Sequence, residues 1–337
     1  MNMRNINLIV FMCLIVIINA CQSDKAVKLG FIYSTPNTER YVKEANFFRA
    51  YAEKHGATVY LEHGNGDEAI QYQKALELFD KGIDGLAIIA VNANTAAAIV
   101  REGQGRGVKV MAYNRLIKNC DLDFFVSGDN NALGKMMVDE IIKVKPRGNA
   151  IILGGDKYDR NAVELAASIN KHLKPHIESG NIDVLYETFV EEWSDVNAAY
   201  ELEQFISLSG QVPDIIFAGF DGMSGGCIRV LGERNEEKVV YISGQDATVE
   251  GVKNIVAGKQ QMTAFHPLKD TGSKAAEIML QLVANEKKAE KMANSYTNNG
   301  QIDVPTVKVP SIAVTKSNVK KVLVDDAKFY TYEEIYN

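Results

Sequence analysis

KLGFIYS (28–34), ATVYLEH (57–63), DGLAIIAV (84–91) and VKVMAYN (108–114) recur at regular intervals along the chain. Each stretch is short, apolar on both faces and rich in β-branched or aromatic residues. That pattern marks strands of a parallel sheet buried between helix layers, not strands with one wet face. The segments between them, Thr38 to His55, Asp67 to Lys81 and Asn94 to Gly105, read as helices. FFVSGD (124–129) follows as a strand, and the cycle restarts. Asn131 to Val144 reads as helix, NAIILGG (149–155) as strand and Asn161 to Leu173 as helix. IDVLYET (182–188), DIIFAG (214–219), VVYISG (239–244) and QMTAFH (261–266) are further strands with helices between them. Two successive βα series predict an α/β protein of two Rossmann-like lobes with parallel sheets.

The beginning of the chain has another character. Residues 1–21 read MNMRNINLIVFMCLIVIINAC. Arg4 supplies a basic start, Leu8 to Ile18 is unbroken apolar sequence, and Ile18-Asn19-Ala20 leads into Cys21. Charge, then roughly 7–15 apolar residues, then a small-residue cut is the order of a secretory signal. The run is short of the about 20 residues a bilayer span needs. A cysteine at the cut predicts a bacterial lipoprotein signal over 1–20, with Cys21 lipidated and 21–26 a polar linker. An ordinary secretory signal with a chance cysteine is the alternative.

Composition bounds the function. The chain has 337 residues, 46% hydrophobic and 24% charged, with a formal net charge of −6. The acidic balance argues against a nucleic-acid partner and against electrostatic adhesion to anionic lipid. Membrane attachment is then expected through the lipid anchor alone. Beyond Cys21 the mature chain keeps Cys120 and Cys227, too few and too far apart for a disulfide framework. Free thiols are expected there.

In doubly wound sheets, ligands bind beyond the carboxyl ends of the strands. The residues at those ends include Arg40, Asn114-Arg115, Asp129-Asn130, Asp156 to Asn161, Phe220-Asp221, Gln245-Asp246 and His266. Amides, carboxylates and guanidiniums dominate. Their paired donors and acceptors suit a polyhydroxylated ligand. Any single Asn or Asp here could equally be a helix N-cap. Arg40 and Arg115 are harder to explain in that way. Trp193, the only tryptophan, lies in the polar setting VEEWSD (190–195). There it suits stacking on a sugar ring, or packing within a lobe.

Three motifs compete with a binding function. Gly222-Met223-Ser224-Gly225-Gly226 matches the G-x-S-x-G elbow of α/β-hydrolases, and Asp246 and His266 follow in hydrolase order. Against a secreted serine esterase, Phe220 and Asp221 intervene between strand and motif, and no oxyanion loop of the HGGG type precedes it. His172 and His176 have the spacing of a helical metal pair, but Pro175 should end the helix between them and no third ligand is near. Gly103-Gln104-Gly105-Arg106-Gly107 ends a helix before a strand, the reverse of dinucleotide-binding order. No metal, cofactor or catalytic residue is therefore expected.

Several stretches together are more specific than any of these motifs: Glu39-Arg40, GNGDEAIQYQ (64–73), Tyr113-Asn114-Arg115, DFFVSGDN (123–130), SGQDAT (243–248), AGKQQMT (257–263) and NNGQIDVP (298–305). In this order they resemble the ribose/galactose-type periplasmic sugar-binding family, and within it the D-xylose-binding branch, from about Val27 to Thr315. The resemblance implies the type I periplasmic binding protein fold, two lobes joined by a three-stranded hinge with the sugar held between them. Chain crossings are expected near Asp129, near Phe265-His266 and near Gln301 to Pro305. The N-terminal lobe would then take 27–129 plus 266–302, and the C-terminal lobe 130–265 plus 303–337.

Carried over position by position, the ligand contacts fall on Arg40, Tyr41, Asn114, Arg115, Asp159, Asn161, Trp193, Phe220, Asp246 and His266. Arg40, Arg115, Asp159, Asn161, Trp193 and Asp246 keep the residue type of the xylose-binding pattern, and Tyr41 replaces another aromatic. The pattern has Asp at the position of Asn114, Asn at that of Phe220 and Lys at that of His266. A site built to bond one hydroxyl rejects a ligand that leaves its buried polar groups unpaired. Sugar binding therefore carries over better than xylose itself. With the leader read from residues 1–21, the resemblance points to an exported, lipid-anchored monomer that delivers a monosaccharide to an ABC permease. The alternative is a sensor component that presents its sugar to a membrane receptor kinase. A cytoplasmic sugar-responsive repressor shares the fold, but the export signal argues against it. With Cys21 as an anchor distant from the cleft, Cys21→Ala should move the protein from the membrane fraction to the soluble one with sugar affinity unchanged. A variant that stays with the membrane would contradict the lipidation.

Overall fold

The computed structural model describes residues 26–234 and 238–337. The expected leader 1–20, the lipidation site Cys21 and nearly all of the linker lie outside the described residues. The first lobe is built from β1 (Lys28–Tyr33), α1 (Glu39–Lys54), β2 (Thr58–His63), α2 (Glu68–Asp80), β3 (Gly85–Ile88), α3 (Ala97–Gly105), β4 (Lys109–Tyr113) and β5 (Phe124–Gly128). The second lobe takes α4 (Asn130–Val144), β6 (Gly148–Gly154), α5 (Arg160–Glu178), β7 (Ile182–Phe189), α6 (Asp195–Ser209), β8 (Ile215–Ala218), α7 (Asp221–Glu233), β9 (Tyr241–Ile242), α8 (Val249–Ala257) and β10 (Met262–Phe265). The chain returns through α9 (Leu268–Ala284), α10 (Glu286–Glu290), β11 (Ser295–Asn298) and β12 (Asp303–Val309). It finishes in the second lobe with β13 (Ile312–Thr315), a π-helical turn (Lys320–Asp326) and α11 (Tyr332–Tyr336).

The first sheet has the order β11-β12-β5-β4-β3-β1-β2, the second β7-β6-β8-β9, and β10 pairs with β13. A single bridge between Gln245 and Ala264 joins β10 to the edge of the second sheet. Strands β1, β3, β4, β6 and β8 are almost wholly buried, because helices cover both faces. Two apolar clusters sit on the two faces of the first sheet. One centres on Phe31, Phe48 and Tyr113, the other on Leu78, Ile88 and Ile99. Phe31 meets Phe48 and Tyr113 edge-on, with ring centroids 5.1 and 5.4 Å apart. Cys120 is buried in the first lobe and Cys227 in the second.

The structure departs from the sequence expectations in three places. First, the sheets are not wholly parallel. β11 pairs antiparallel with β12 and β13 antiparallel with β10. The link from β11 to β12 is a short turn around Gly300, too short for the crossover that parallel pairing needs. Second, the last crossing lies later than Gln301 to Pro305. β12 belongs to the first lobe, where it pairs in parallel with β5, Val309 beside Gly128. The boundary expected after residue 302 therefore moves to Pro310. Third, helix α5 passes through Pro175 to Glu178. Proline forfeits one amide donor near the end of the helix, and its own carbonyl still accepts from Ser179 at 3.2 Å.

Three crossings join the lobes, at about 128–130, 265–268 and 309–312. Val309 lies beside Gly128 on one side of the boundary, and Ile312 beside Phe265 on the other. The segments therefore run as neighbours, and a bend in one is shared by all. The N-terminus of α1 faces this boundary, so its seat in the first lobe matters for the cleft. α9 crosses α1 closely at Gly272, where an added Cβ would lie 2.7 Å from the Glu44 carbonyl oxygen and 3.2 Å from the Phe48 nitrogen. These are backbone atoms and cannot swing aside. Gly272→Val should therefore destabilise the protein by about 2 kcal/mol or more, through overpacking. A lower midpoint in urea unfolding is the expected outcome; an unchanged midpoint would contradict the close crossing.

Candidate ligand-binding cleft

Arg40 occupies the first turn of α1, and it sets the charge pattern of the cleft. Its Nε donates to Glu44 Oε1 at 3.3 Å, and its Nη1 donates to Asp246 Oδ1 at 3.0 Å. The first contact is one helical turn away in the same lobe, whereas the second crosses to the other lobe. Burial disfavours the guanidinium charge, but Glu44 and then Asp246 more than compensate and hold it above its ordinary value. Asp246 shows the converse. Burial pushes its carboxyl up, but the Arg40 guanidinium above all pulls it down to about 2. Glu44 is fully buried, and burial raises its pKa despite Arg40. The buried Tyr113 hydroxyl lies close enough to Glu44 to oppose that rise, though without a hydrogen bond of ordinary geometry.

His266 completes this group from the second crossing. Its Nδ1 lies 2.9 Å from the Ser311 hydroxyl on the third crossing, and its Nε2 lies 3.2 Å from Asp246 Oδ1, out of line for a hydrogen bond. Burial, followed by repulsion from Arg40, lowers its pKa below the ordinary 6.5. The ring therefore enters the cleft as a neutral imidazole near pH 7.

Asn114 follows β4 in the left-handed region, with φ 59°. Asparagine tolerates that conformation better than most residues. The tight turn it makes, with Arg115 N donating to Tyr113 O at 2.6 Å, aims Arg115 across the cleft. Arg115 Nη2 lies 3.6 Å from Asp159 Oδ2 in the other lobe, and its guanidinium sits 6.0 Å from the Tyr41 ring centre. Its Nε has no partner. Asp159 divides its oxygens: Oδ1 caps α5 by accepting from Asn161 N at 2.9 Å, which leaves Oδ2 for Arg115. Cap and cleft residue are thus one group. Asn161 donates to the Asn114 carbonyl at 3.4 Å and accepts from Asn130 at 3.0 Å.

Trp193 ends a 3₁₀ turn in which Glu192 and Trp193 both have φ 56°. The indole lies on the backbone of Gly155 and beside Gly219. A Cβ at Gly155 would overlap the ring, and one at Gly219 would stand 3.2 Å from it. The glycine after β6 is therefore the floor of the tryptophan seat. Phe220 faces the same space from the N-cap of α7. A Cβ at Gly222 would press on its ring at 2.5 Å.

That contact assigns the glycines of the G-x-S-x-G stretch to packing. Gly222 makes room for Phe220, and a Cβ at Gly226 would overlap the Asp195 carbonyl. Ser224 is buried inside α7, and its hydroxyl donates to Ser243 O at 2.7 Å and Phe220 O at 3.1 Å. His266 meanwhile faces Asp246 and Ser311. The elbow expectation fails on that geometry. His172 and His176 lie on α5, and no cluster of three metal-ligating side chains is present among the described residues.

Arg40, Tyr41, Asn114, Arg115, Asp159, Asn161, Trp193, Phe220, Asp246 and His266 all line one cavity of about 300 Å³ between the lobes, together with Thr38, Gly128, Asn130, Glu192 and Gln245. Their common placement follows from the topology, since every one lies at or beyond the carboxyl end of a strand or at a crossing. Glu192 and the buried Glu44 were missed in the sequence. Glu44 carried a signal, the i,i+4 spacing from Arg40 on a helix. Glu192 carried none. A larger cavity of about 690 Å³ lies at the opposite end of the first sheet. Its lining lysine is engaged, since Lys109 Nζ donates to Asp123 at 2.9 Å and to Glu286 at 2.7 Å.

A family model described as a periplasmic binding protein domain matches residues 29–287. The chain is 36% identical over 313 residues to the D-xylose-binding periplasmic protein of Haemophilus influenzae, covering 93% of each. It is 33% identical over 321 residues to that of Escherichia coli, covering 95% of this chain and 96% of the relative. Among solved structures, an ABC transporter solute-binding protein of Clostridium phytofermentans with bound β-D-glucose superposes with a TM-score of 0.81 at 22% identity, covering 91% of this chain and 99% of its own. At that identity the likeness is one of fold.

The His266 environment makes a direct prediction. In an NMR titration its imidazole should be neutral at pH 7 and titrate below 6.5, and Arg40→Leu should raise its pKa by removing a repelling cation. Because the folded pKa lies below the unfolded value, this group's contribution to stability is present above pH 6.5 and lost as pH falls below it. An imidazolium at pH 7 in the unmodified protein would contradict the account of the site.

Proposed function

Because the chain belongs to the periplasmic binding protein family, we propose that it captures a monosaccharide, a xylose-like pentose or a related sugar or polyol, between its two lobes and hands it to an ABC importer. It is a binding protein and not an enzyme, as its relatives are. One observation carries the proposal. A cavity of sugar size is walled from both lobes by planar polar side chains, with Tyr41 and Trp193 among its aromatic walls.

In this proposal Arg40 and Arg115 donate to hydroxyls, Asp159 and Asp246 accept from them, and Trp193 and Tyr41 cover the apolar faces of the ring. A ligand that bonds both lobes at once binds the closed arrangement more tightly than the open one. It shifts the hinge by that difference in affinity. The anchor at Cys21, export to the periplasmic side or outer surface of the cell envelope, and a monomeric state complete the proposal. They rest on residues 1–21 and on relatives named as periplasmic.

The three departures from the xylose-binding pattern bear on which sugar is taken. Asn114 offers one donor and one acceptor where a carboxylate offers only acceptors. Phe220 gives an apolar wall where an amide would hydrogen-bond. His266, held neutral, lacks the charge of a lysine. Ligands that need a cation or an extra acceptor at these places lose affinity. We therefore propose a specificity different from that of the xylose-binding relatives.

Titration with a panel of pentoses, hexoses and inositols tests the function. Trp193 emission should change saturably with at least one of them, and calorimetry should report the same affinity. Trp193→Phe should remove the optical signal and lower the calorimetric affinity about tenfold. Silence of both methods across the panel would overturn the proposal.

A further inference from the structure

Asp246 is held in an unfavourable backbone conformation. It has φ 83° and the following Ala247 φ 47°, although neither is glycine. An aspartate tolerates this region better than most residues, but for Ala247 it costs roughly 1–2 kcal/mol. The strain persists only if the surroundings fix the turn, and two of the bonds that fix it lead to Asp221.

Asp221 is 1% exposed and is not among the residues that line the cleft. Its Oδ2 accepts from Thr248 N at 2.8 Å and from the Thr263 hydroxyl at 2.9 Å, and its Oδ1 accepts from Gln260 Nε2 at 2.8 Å. The Thr263 oxygen in turn accepts from Ala247 N at 3.1 Å. Asp246 N donates to Ala264 O at 2.9 Å, and Tyr330 donates its hydroxyl to Ala247 O at 2.9 Å. The amides of Ala247 and Thr248 are thus tied to Asp221, one through Thr263 and one directly. Gly244 and Gly251 press against the same carboxylate so closely that a Cβ at either would overlap it.

We propose that Asp221 is a positioning residue of the sugar site: its carboxylate fixes the left-handed turn at Asp246 and Ala247, and so sets the direction in which the Asp246 carboxylate meets Arg40 and the ligand. The inference rests on the sugar-binding proposal above. The chemistry explains why the residue is acidic. Three residues, Thr248, Gln260 and Thr263, aim donors at Asp221, and a carboxylate presents acceptors on both oxygens. An asparagine would turn an NH₂ group toward at least one of those donors. Burial is costly for the charge, pushing this carboxyl up to about 7 against the bonds from Gln260, Thr263 and Thr248, with Asp246 adding to the rise. The charge also raises the Tyr330 hydroxyl. A buried carboxylate kept under such conditions, outside the cleft but bonded to the strained turn, is accounted for by what it holds.

A double-mutant cycle tests the inference, read by calorimetry with the panel sugar that binds the unmodified protein most tightly. Asp221→Asn should weaken binding tenfold or more. In an Asp246→Ala background the same change should weaken it by less than about twofold, because the group being aimed is gone. A merely structural role would give losses that multiply. Thr263→Val removes the hydroxyl that links Asp221 to Ala247 N with little change of volume. It should show the same dependence on Asp246 at smaller size, and it decides the matter should Asp221→Asn fail to fold. Unmodified affinity in Asp221→Asn, or independent losses in either cycle, would overturn the positioning role alone. An unmodified protein that binds no panel sugar would overturn the sugar proposal and this inference together.

Discussion

A buried charge must be answered nearby, and in this protein the answer to Arg40 is divided between two lobes. Glu44 meets it from the same helix and Asp246 from across the cleft. The Arg40 and Asp246 side chains keep only 19% and 27% exposure, and Glu44 keeps none. Removing either partner would strand charge in a poorly solvated place, a penalty of several kcal/mol. Neither lobe can therefore be optimised alone. The first supplies two guanidiniums, Arg40 and Arg115, and the second supplies the carboxylates Asp246 and Asp159 that face them. A polyol placed between them offers hydroxyls that both accept and donate, so it can stand between like and unlike groups without leaving either unpaired.

In the proposed closure this pairing would adjust through the crossing segments. Three segments cross the boundary, with Val309 beside Gly128 on one side and Ile312 beside Phe265 on the other. His266 on the second crossing touches Ser311 on the third and stands against Asp246. A change in the cleft thus reaches two of the crossing segments directly. Lys43 of α1 also lies 4.6 Å above the Phe329 ring of the second lobe, a further contact across the boundary outside the cleft. The cross-lobe contacts named here, Arg40 with Asp246, Arg115 with Asp159 and Lys43 with Phe329, are all ionic or cation–π contacts.

Most of the fold was legible because its strands are buried on both faces, so KLGFIYS and DGLAIIAV read as parallel sheet without any partner being known. That ten named positions would meet in one cavity was legible for a related reason: they follow strand ends, where doubly wound sheets place ligands, and a family resemblance selected among them. What stayed hidden depends on backbone conformation or on contacts distant in sequence. No glycine marks the left-handed turn at Asp246 and Ala247, so it was invisible. Gly155 shows its purpose only when the Trp193 ring lies upon it. The third crossing was expected at Gln301 to Pro305 from the alternation of elements, but NNGQIDVP holds the hairpin turn between β11 and β12, and the chain crosses at Pro310. Pro175 argued for a helix end, but packing of α5 on the sheet outweighs one missing hydrogen bond.

The most direct measurement is a crystal structure of the protein grown with the monosaccharide it binds most tightly. The account predicts one sugar ring between the lobes, within hydrogen-bond distance of Arg40 in one lobe and Asp246 in the other, with the Trp193 indole against a face of the ring. A sugar bound outside the cleft, or bound within it to one lobe only, would contradict the claim that opposed charges on two lobes are what the ligand joins.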